Sequence, residues 1–242
     1  MTKISLCIPT KNRFDTFLSN SLGKYIDFLK NGIIDEIVIS DETGDDNKKI
    51  QNKYGDVDGL KLFSNESILG VLLNKLKVCS YASHEFIALI DSDNFCDEQY
   101  FVSVKQYIKN TKDLSNYLIL SPVFAKPRFN YTAFKDKIIT KRNINLYRHV
   151  GMFDCLMNTG NYVLTKNITD NIKYDKDVLF YISACDVIYF NVLAFEQFAD
   201  LQFHILDICY DHAVHSDSEY LKTIDICRHY SDNVLTPRYN KL

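Results

Sequence analysis

Three D-x-D triplets occur in the 242 residues, and only one of them leaves an apolar run. Asp91 and Asp93 follow Phe86-Ile87-Ala88-Leu89-Ile90, whereas Asp56/Asp58 and Asp175/Asp177 sit in polar, turn-like surroundings that a solvated loop explains. Two carboxylates fixed at the end of a strand can hold a hard divalent cation through oxygen ligands, and such a cation can neutralise a diphosphate. One or both could instead cap the helix that follows. A second chemical signal lies between Lys126 and Arg148, where seven Lys or Arg stand against the single acid Asp136, interleaved with Phe129, Tyr131, Phe134 and Tyr147. This mixture could bind RNA, a membrane face or the diphosphate of a lipid-linked acceptor, with an anionic acceptor or membrane surface preferred, or it could be a solvated loop.

The elements that must position Asp91 and Asp93 follow from hydrophobic period and turn residues. Ile4, Leu6, Cys7 and Ile8 form a short apolar run that ends at Pro9, the pattern of a buried parallel strand. Phe14, Phe17, Leu18, Leu22, Tyr25, Ile26 and Leu29 recur at steps of three and four, one face of a helix closed by Asn31-Gly32. Residues 34–40 predict a second strand, residues up to 54 a short helix, 60–63 a third strand, 68–80 a helix and 85–90 a fourth strand. Asp97 opens another helix. Later residues are less regular, with strands expected at 117–124, 162–164 and 201–208 and a helix within 179–198. This alternation predicts an α/β fold, a mostly parallel twisted central sheet flanked by helices, with an irregular second half. Ligands of such sheets bind beyond the carboxyl ends of the strands, here the loops 9–13, 41–46 and 91–94.

Four segments at those strand ends, ISLCIPTKNR, EIVISDETGDD, Asn65 with Leu69-Gly70 and Asn74, and FIALIDSDNF, together resemble the family 2 glycosyltransferases of GT-A fold. The resemblance covers about residues 3–97 and implies one domain. Residues 1–97 would bind the nucleotide sugar, and 98–242 would form the acceptor half. It implies an inverting, non-processive transfer of one sugar from a nucleoside-diphosphate donor, UDP- or dTDP-linked, to a hydroxyl of a glycan or lipid-linked acceptor in polysaccharide or lipopolysaccharide synthesis. Pro9, Thr10, Arg13, Asp41, Gly70, Asp91 and Ser92 would surround the nucleotide. Asp41 would accept a hydrogen bond from the imide N–H of a uracil or thymine, a donor that adenine lacks. Asp93 would bind Mn2+ or Mg2+, with His212 or His215 completing the metal's ligands after the last strand. Strand geometry brings His212 in first, and an imidazole suits Mn2+ better than Mg2+.

Inversion needs a base on the acceptor side, and the resemblance points to Asp186, which could alternatively be a helix N-cap. Asn158, Thr159 and Gly160 would lie beneath the donor sugar and acceptor, or form a tight turn. Lys77 could add positive charge from the helix or lie at the surface. The chain departs from the family pattern at Ser40 and Cys185, where the family has acids, and at Glu42, where it has glycine.

Composition narrows the alternatives. A net charge of −3 with 24% charged residues argues against a nucleic-acid binder working through bulk positive charge. The apolar stretch 4–9 is too short for a signal peptide and no run approaches a membrane span, which predicts a cytoplasmic chain with at most peripheral membrane contact at 126–148. Seven scattered cysteines without a C-x-x-C suggest neither a disulfide framework nor a zinc knuckle. No G-x-G-x-x-G or G-x-x-x-x-G-K is present, which removes dehydrogenase and P-loop readings. Absence of tryptophan removes the Q-x-x-R-W motif of processive synthases. Two rivals remain: a catalytically silent sugar-nucleotide-binding module, and a phosphatase-like hydrolase, which would place its D-x-D on the first strand.

Overall fold

The structure is a computed structural model that describes residues 2–182, 185–216 and 218–242. Strand β1 (Ile4–Thr10) sits between β2 (Glu36–Asp41) and β4 (Phe86–Leu89), with β3 (Leu60–Ser64) outside β2, and all three contacts are parallel. The connections run through helices α1 (Ser19–Lys30), α2 (Asp45–Tyr54) and α3 (Val71–Ser80). Helix α4 (Glu98–Asn110) leads to β5 (Leu118–Lys126), and β6 (Phe129–Asn130), β7 (Ile138–Ile139), α5 (Phe153–Met157) and β8 (Tyr162–Thr165) follow. The chain then forms α6 (Lys166–Asn171), α7 (Leu179–Ile182), α8 (Asp186–Gln197) and β9 (Gln202–Asp211), and ends in α9 (Glu219–Lys222), α10 (Ile224–Tyr230) and α11 (Thr236–Tyr239).

The sheet order is β3-β2-β1-β4-β8-β5-β9-β7, with β6 paired to β5. It is mixed rather than uniformly parallel. β8 runs antiparallel to both β4 and β5, while β5 and β9 are parallel. Insertion of β8 beside β4 is the step that joins the two halves of the chain, because Leu89 pairs with Tyr162 next to the D-x-D loop.

Successive side chains of a strand point to opposite faces, so a sheet covered on both sides needs strands that are apolar throughout. Ile4, Leu6 and Ile8 pack into one core with Leu22, Tyr25 and Ile26 of α1 and Tyr100, Phe101 and Val104 of α4. Cys7 and Val38 face the other core, built from α3, α8 and the second half of the chain. Helix α8 is buried nearly all round, from Ile188 to Phe195, which explains why its sequence shows so little amphipathic period.

The expected elements are present, with boundaries shifted by a few residues. Residues 14–18 open the first helical segment as a π-turn ahead of α1. Of the stretch expected around Asp186, Ser183 and Ala184 lie outside the described residues. Among the described residues no helix is long and apolar enough to cross a membrane.

Candidate functional site

The carboxyl ends of β1, β2 and β4 converge as expected for a parallel sheet, and polar side chains knit them together. Asn74, buried on α3, donates to the carbonyls of Thr10 and Ser40 at 3.3 Å each and accepts from Asn65 Nδ2 at 3.0 Å. Asp46, in the first turn of α2, accepts from Thr10 Oγ1 at 2.6 Å and from the amides of Arg13 and Phe14 at 2.9 and 3.0 Å, which fixes the loop after β1. Pro9 lies in β1, half-buried, and the Arg13 guanidinium stands 5.3 Å from the Phe17 ring centre.

Asp41 is fully buried, and both of its oxygens serve its own loop. Oδ1 accepts from the amide and hydroxyl of Thr43, and Oδ2 from the amide of Asn47 at 3.0 Å. These bonds make Asp41 a turn-forming residue of its own loop. Glu42 is also buried and accepts from Gly70 N at 2.7 Å, capping α3 where Gly70 takes φ 84°. This left-handed angle is one that glycine adopts without strain.

Asp91, Ser92 and Asp93 form the turn that leaves β4, and neither aspartate caps the next helix. That role falls to Asp97, which accepts from Tyr100 N at 2.9 Å. Asp91 is held from two sides. Its backbone N–H donates to Asn161 Oδ1 at 2.8 Å, and Lys75 Nζ lies 2.9 Å from its Oδ1. The same Lys75 ammonium lies 2.9 Å from Asp186 Oδ2, an ion pair rather than an aligned hydrogen bond. Lys75 and Asp186 are buried, at 8% and 4% exposure, whereas the Asp91 side chain is about a third exposed, so one cation is shared between an enclosed carboxylate and one that water reaches.

Burial works against the Lys75 ammonium, but the pull of Asp186 and Asp91 outweighs it and holds the pKa above the ordinary lysine value. Burial also raises the Asp186 pKa, with Lys75 offsetting part of that rise and Asp91 adding to it. A buried carboxylate with one shared counter-ion has the raised basicity that proton abstraction near neutral pH requires. Asp186 lies in the first turn of α8, and Cys185 rather than Asp186 occupies the N-cap position.

Gly160 and Asn161 line the same small cleft as Lys75, Asp91 and Asp186, walled by apolar groups such as Leu72, Leu89 and Phe190. A Cβ on Gly160 would stand 3.2 Å from Val187 Cγ2, so the glycine permits the loop to pass close to α8. Thr159 is buried and serves the fold, its hydroxyl bonded to Tyr131 and to Cys155 O, while Asn158 is exposed after α5. Ser92 is buried in the D-x-D turn.

The segment after β9 returns to Asp93. Phe95 and Asp211 exchange backbone bonds of 3.0 and 2.8 Å, and Asn94 Oδ1 accepts from Ala213 N at 3.0 Å. His215 Nε2 thereby reaches Asp93 Oδ2 at 3.1 Å, its ring centre 4.5 Å from that of Phe17. His212 packs against Phe129 and Tyr210, and burial lowers its pKa despite the nearby Asp93 and Asp91. The structure thus sets His215, rather than His212, in contact with Asp93.

Among the described residues no three of His, Cys, Asp and Glu converge tightly enough to enclose a metal ion by themselves. The donor set nevertheless fits a partly substrate-ligated divalent ion. Beside the Asp93 carboxylate, His212 Nδ1 and His215 Nδ1 are both buried and lack a hydrogen-bond partner among the described residues, an arrangement that buried polar atoms rarely keep without a ligand.

Lys75 carries no role in the sequence reading, and Asn161 enters it only as the residue that ends the segment 158–161. Lys75 falls three residues from both Leu72 and Val78 on the buried stripe of α3, and a lysine in an apolar stripe is the signal that could have marked it. Lys77, by contrast, is exposed beside the Tyr81 ring. Within the basic stretch Tyr131 and Phe134 are core residues, so these aromatic rings are turned away from any partner.

Solved structures share this architecture. Staphylococcus aureus TarS residues 1–349 in complex with UDP-GlcNAc superposes with a TM-score of 0.66 at 16% identity, covering 96% of this chain and 66% of that one. Against the longer S. aureus TarS chain the TM-score is 0.64 at 16% identity, and the present chain covers 40% of its length. Glucosyl-3-phosphoglycerate synthase from Mycobacterium tuberculosis, in complex with Mn2+, UDP and phosphoglyceric acid, matches with a TM-score of 0.65 at 14% identity, covering 98% and 78% of the two chains. No curated protein matches the sequence significantly. These likenesses agree with the GT-A type of α/β domain, here with a mixed central sheet, and the sequence model of Glycosyl transferase family 2 matches residues 5–164. With more than half its length matched and the strand ends arranged as described, the chain belongs to glycosyl transferase family 2.

Proposed function

We propose that the protein is an inverting glycosyltransferase that moves one sugar from a nucleoside-diphosphate donor, UDP- or dTDP-linked, to a hydroxyl of a glycan or lipid-linked acceptor. The observation that carries this reading is the buried bridge Asp91–Lys75–Asp186, which lines one cleft beside the Asp93–His215 pair. Family membership and the nucleotide complexes of TarS and glucosyl-3-phosphoglycerate synthase support the donor class.

Residues 1–97 would bind the donor and 98–242 would supply the acceptor side, which fits Asn161 and Asp186 lining one cleft with Lys75 and Asp91. Asp186 takes the proton of the acceptor hydroxyl as its oxygen attacks the anomeric carbon opposite the diphosphate. The bond from sugar to diphosphate breaks with inversion. Lys75 keeps Asp186 ionised and aimed, and Asn161 fixes the backbone of Asp91 beside the donor. Asp93, His215 and His212 would hold Mn2+ or Mg2+, which supplies positive charge against that developing on the leaving diphosphate.

One observation favours a second reading, a silent nucleotide-binding module. Asp41 is fully occupied by its own loop and Cys185 stands where the family has an acid. Incubation with Mn2+ and a panel of nucleotide sugars, with and without glycan acceptors, separates the readings. Acceptor-dependent release of UDP or TDP, lost in Asp93→Ala, is expected. Binding without release would support the silent module, and phosphate release from simple esters would support a hydrolase.

A further inference from the structure

We propose that the protrusion formed by residues 137–152 docks the protein on an anionic lipid bilayer. This deepens the transferase reading by naming where a lipid-linked acceptor is met. Leu146 is the most exposed large apolar side chain of the described residues, at 74%, and Val150 and Met152 are 36% and 41% exposed within the same seven residues. Ile138, on the edge strand β7, is exposed as well and is tied to this segment by Asn143 Nδ2 donating to its carbonyl at 2.9 Å. The segment is anchored by Ile139 and Ile144 within it and by Phe153 just after it, all in the core, so the exposed apolar side chains stand on a fixed base.

The charge around these tips selects the occupant. The chain as a whole carries −3, yet residues 126–148 hold seven basic groups and one acid. Lys135 is paired with Asp207, whereas Lys137 and Arg142 are exposed and have no acidic partner among the described residues. Exposed aliphatic side chains ringed by unpaired cations match a surface that is apolar inside and negative outside, which is an anionic bilayer. RNA fits less well, because it calls for exposed rings to stack on its bases and Tyr131 and Phe134 are buried. The segment continues in sequence through α5 to Gly160 and Asn161, which line the cleft.

The test is flotation of the full chain with vesicles of phosphatidylcholine alone and of phosphatidylcholine with phosphatidylglycerol in equal parts. Binding is expected only to the anionic vesicles, weakened by salt. Each basic side chain removed should lower partitioning about fivefold, so Lys137→Glu with Arg142→Glu should abolish it, as should Leu146→Glu with Met152→Glu. All four side chains are exposed, so melting temperature should not move, and nucleotide-sugar cleavage in solution should be unchanged. Equal binding by parent and variants, no binding by the parent, or a parent dimer that Leu146→Glu dissolves would each overturn the proposal. None of these outcomes bears on sugar transfer, so failure here is distinct from failure of the transferase reading.

Discussion

Replacing Lys75 with methionine removes the only cation shared by Asp91 and Asp186 while nearly preserving side-chain volume. Asp91 is about a third exposed and water can take over its solvation, but Asp186 is enclosed and cannot be rescued that way. Breaking a buried ion pair from one side costs about 3–5 kcal/mol, because a charge is left uncompensated. For a domain of this length that corresponds to a fall in melting temperature of about 6–20 °C.

The pH dependence identifies the cause. An unpaired buried Asp186 has its folded-state pKa raised further above the unfolded value, so the folded state binds the extra proton and stability falls as pH rises through that window. The deficit of Lys75→Met against the parent should therefore be larger at pH 8 than at pH 5. Adding Asp186→Asn should recover about 1–3 kcal/mol, since the pair is coupled, and Lys75→Arg should cost less than methionine. Urea and thermal unfolding at the two pH values measure these four proteins together with Asp186→Asn alone, which closes the cycle. Strict additivity in the double variant, or a Lys75→Met deficit that is small and independent of pH, would refute the buried-bridge argument.

Asp186→Asn should lower kcat by about 10²- to 10⁴-fold, the usual contribution of a general base, while nucleotide affinity measured by calorimetry stays within about threefold. Full turnover in that variant would remove Asp186 from the mechanism. Asn161 takes φ 57° and accepts the Asp91 N–H, so Asn161→Ala should destabilise by about 1–3 kcal/mol through the lost acceptor and added strain. Asn161→Gly loses the same acceptor but carries no left-handed strain, so it should cost less than Asn161→Ala, and equal costs for the two would show that strain is irrelevant. His204 is buried between Tyr107 and Gln202, and burial pushes its pKa down from 6.5 to about 4. The unfolded state therefore binds the proton first, and stability should drop by about 1.4 kcal/mol per pH unit as pH falls from 6.5 towards 4. His204→Gln should flatten that slope in urea melts, and an unchanged slope would assign the acid sensitivity elsewhere.

The first half of the chain was legible because β1, β2 and β4 are buried on both faces and the loops at their carboxyl ends begin with recognisable residue types. Periodicity located β1 to β4 and the helices between them, and the same logic brought Pro9, Asp41 and Asp91 to one edge of the sheet. Strand direction in the second half was not legible. β8 lies antiparallel between β4 and β5 only because the long segment after β5 returns along the sheet, and four apolar residues say nothing about direction. Asp41 shows a different limit: a residue type that suits a ligand also suits a turn, and the neighbouring Thr43 and Asn47 supply the donors that engage it.

The Lys75 bridge was hidden for a third reason. Its partners Asp91 and Asp186 are 16 and 111 residues away in sequence, and an apolar helix stripe leaves a lysine looking like an error until the acids facing it are known. That distance has a mechanistic consequence. Since the ammonium belongs to α3 and the two acids to the turn after β4 and to α8, the ionic state of Asp186 depends on how these three elements pack. Under the proposed mechanism, a donor that engages Asp91 would compete with Lys75 for it and so change the charge that faces Asp186.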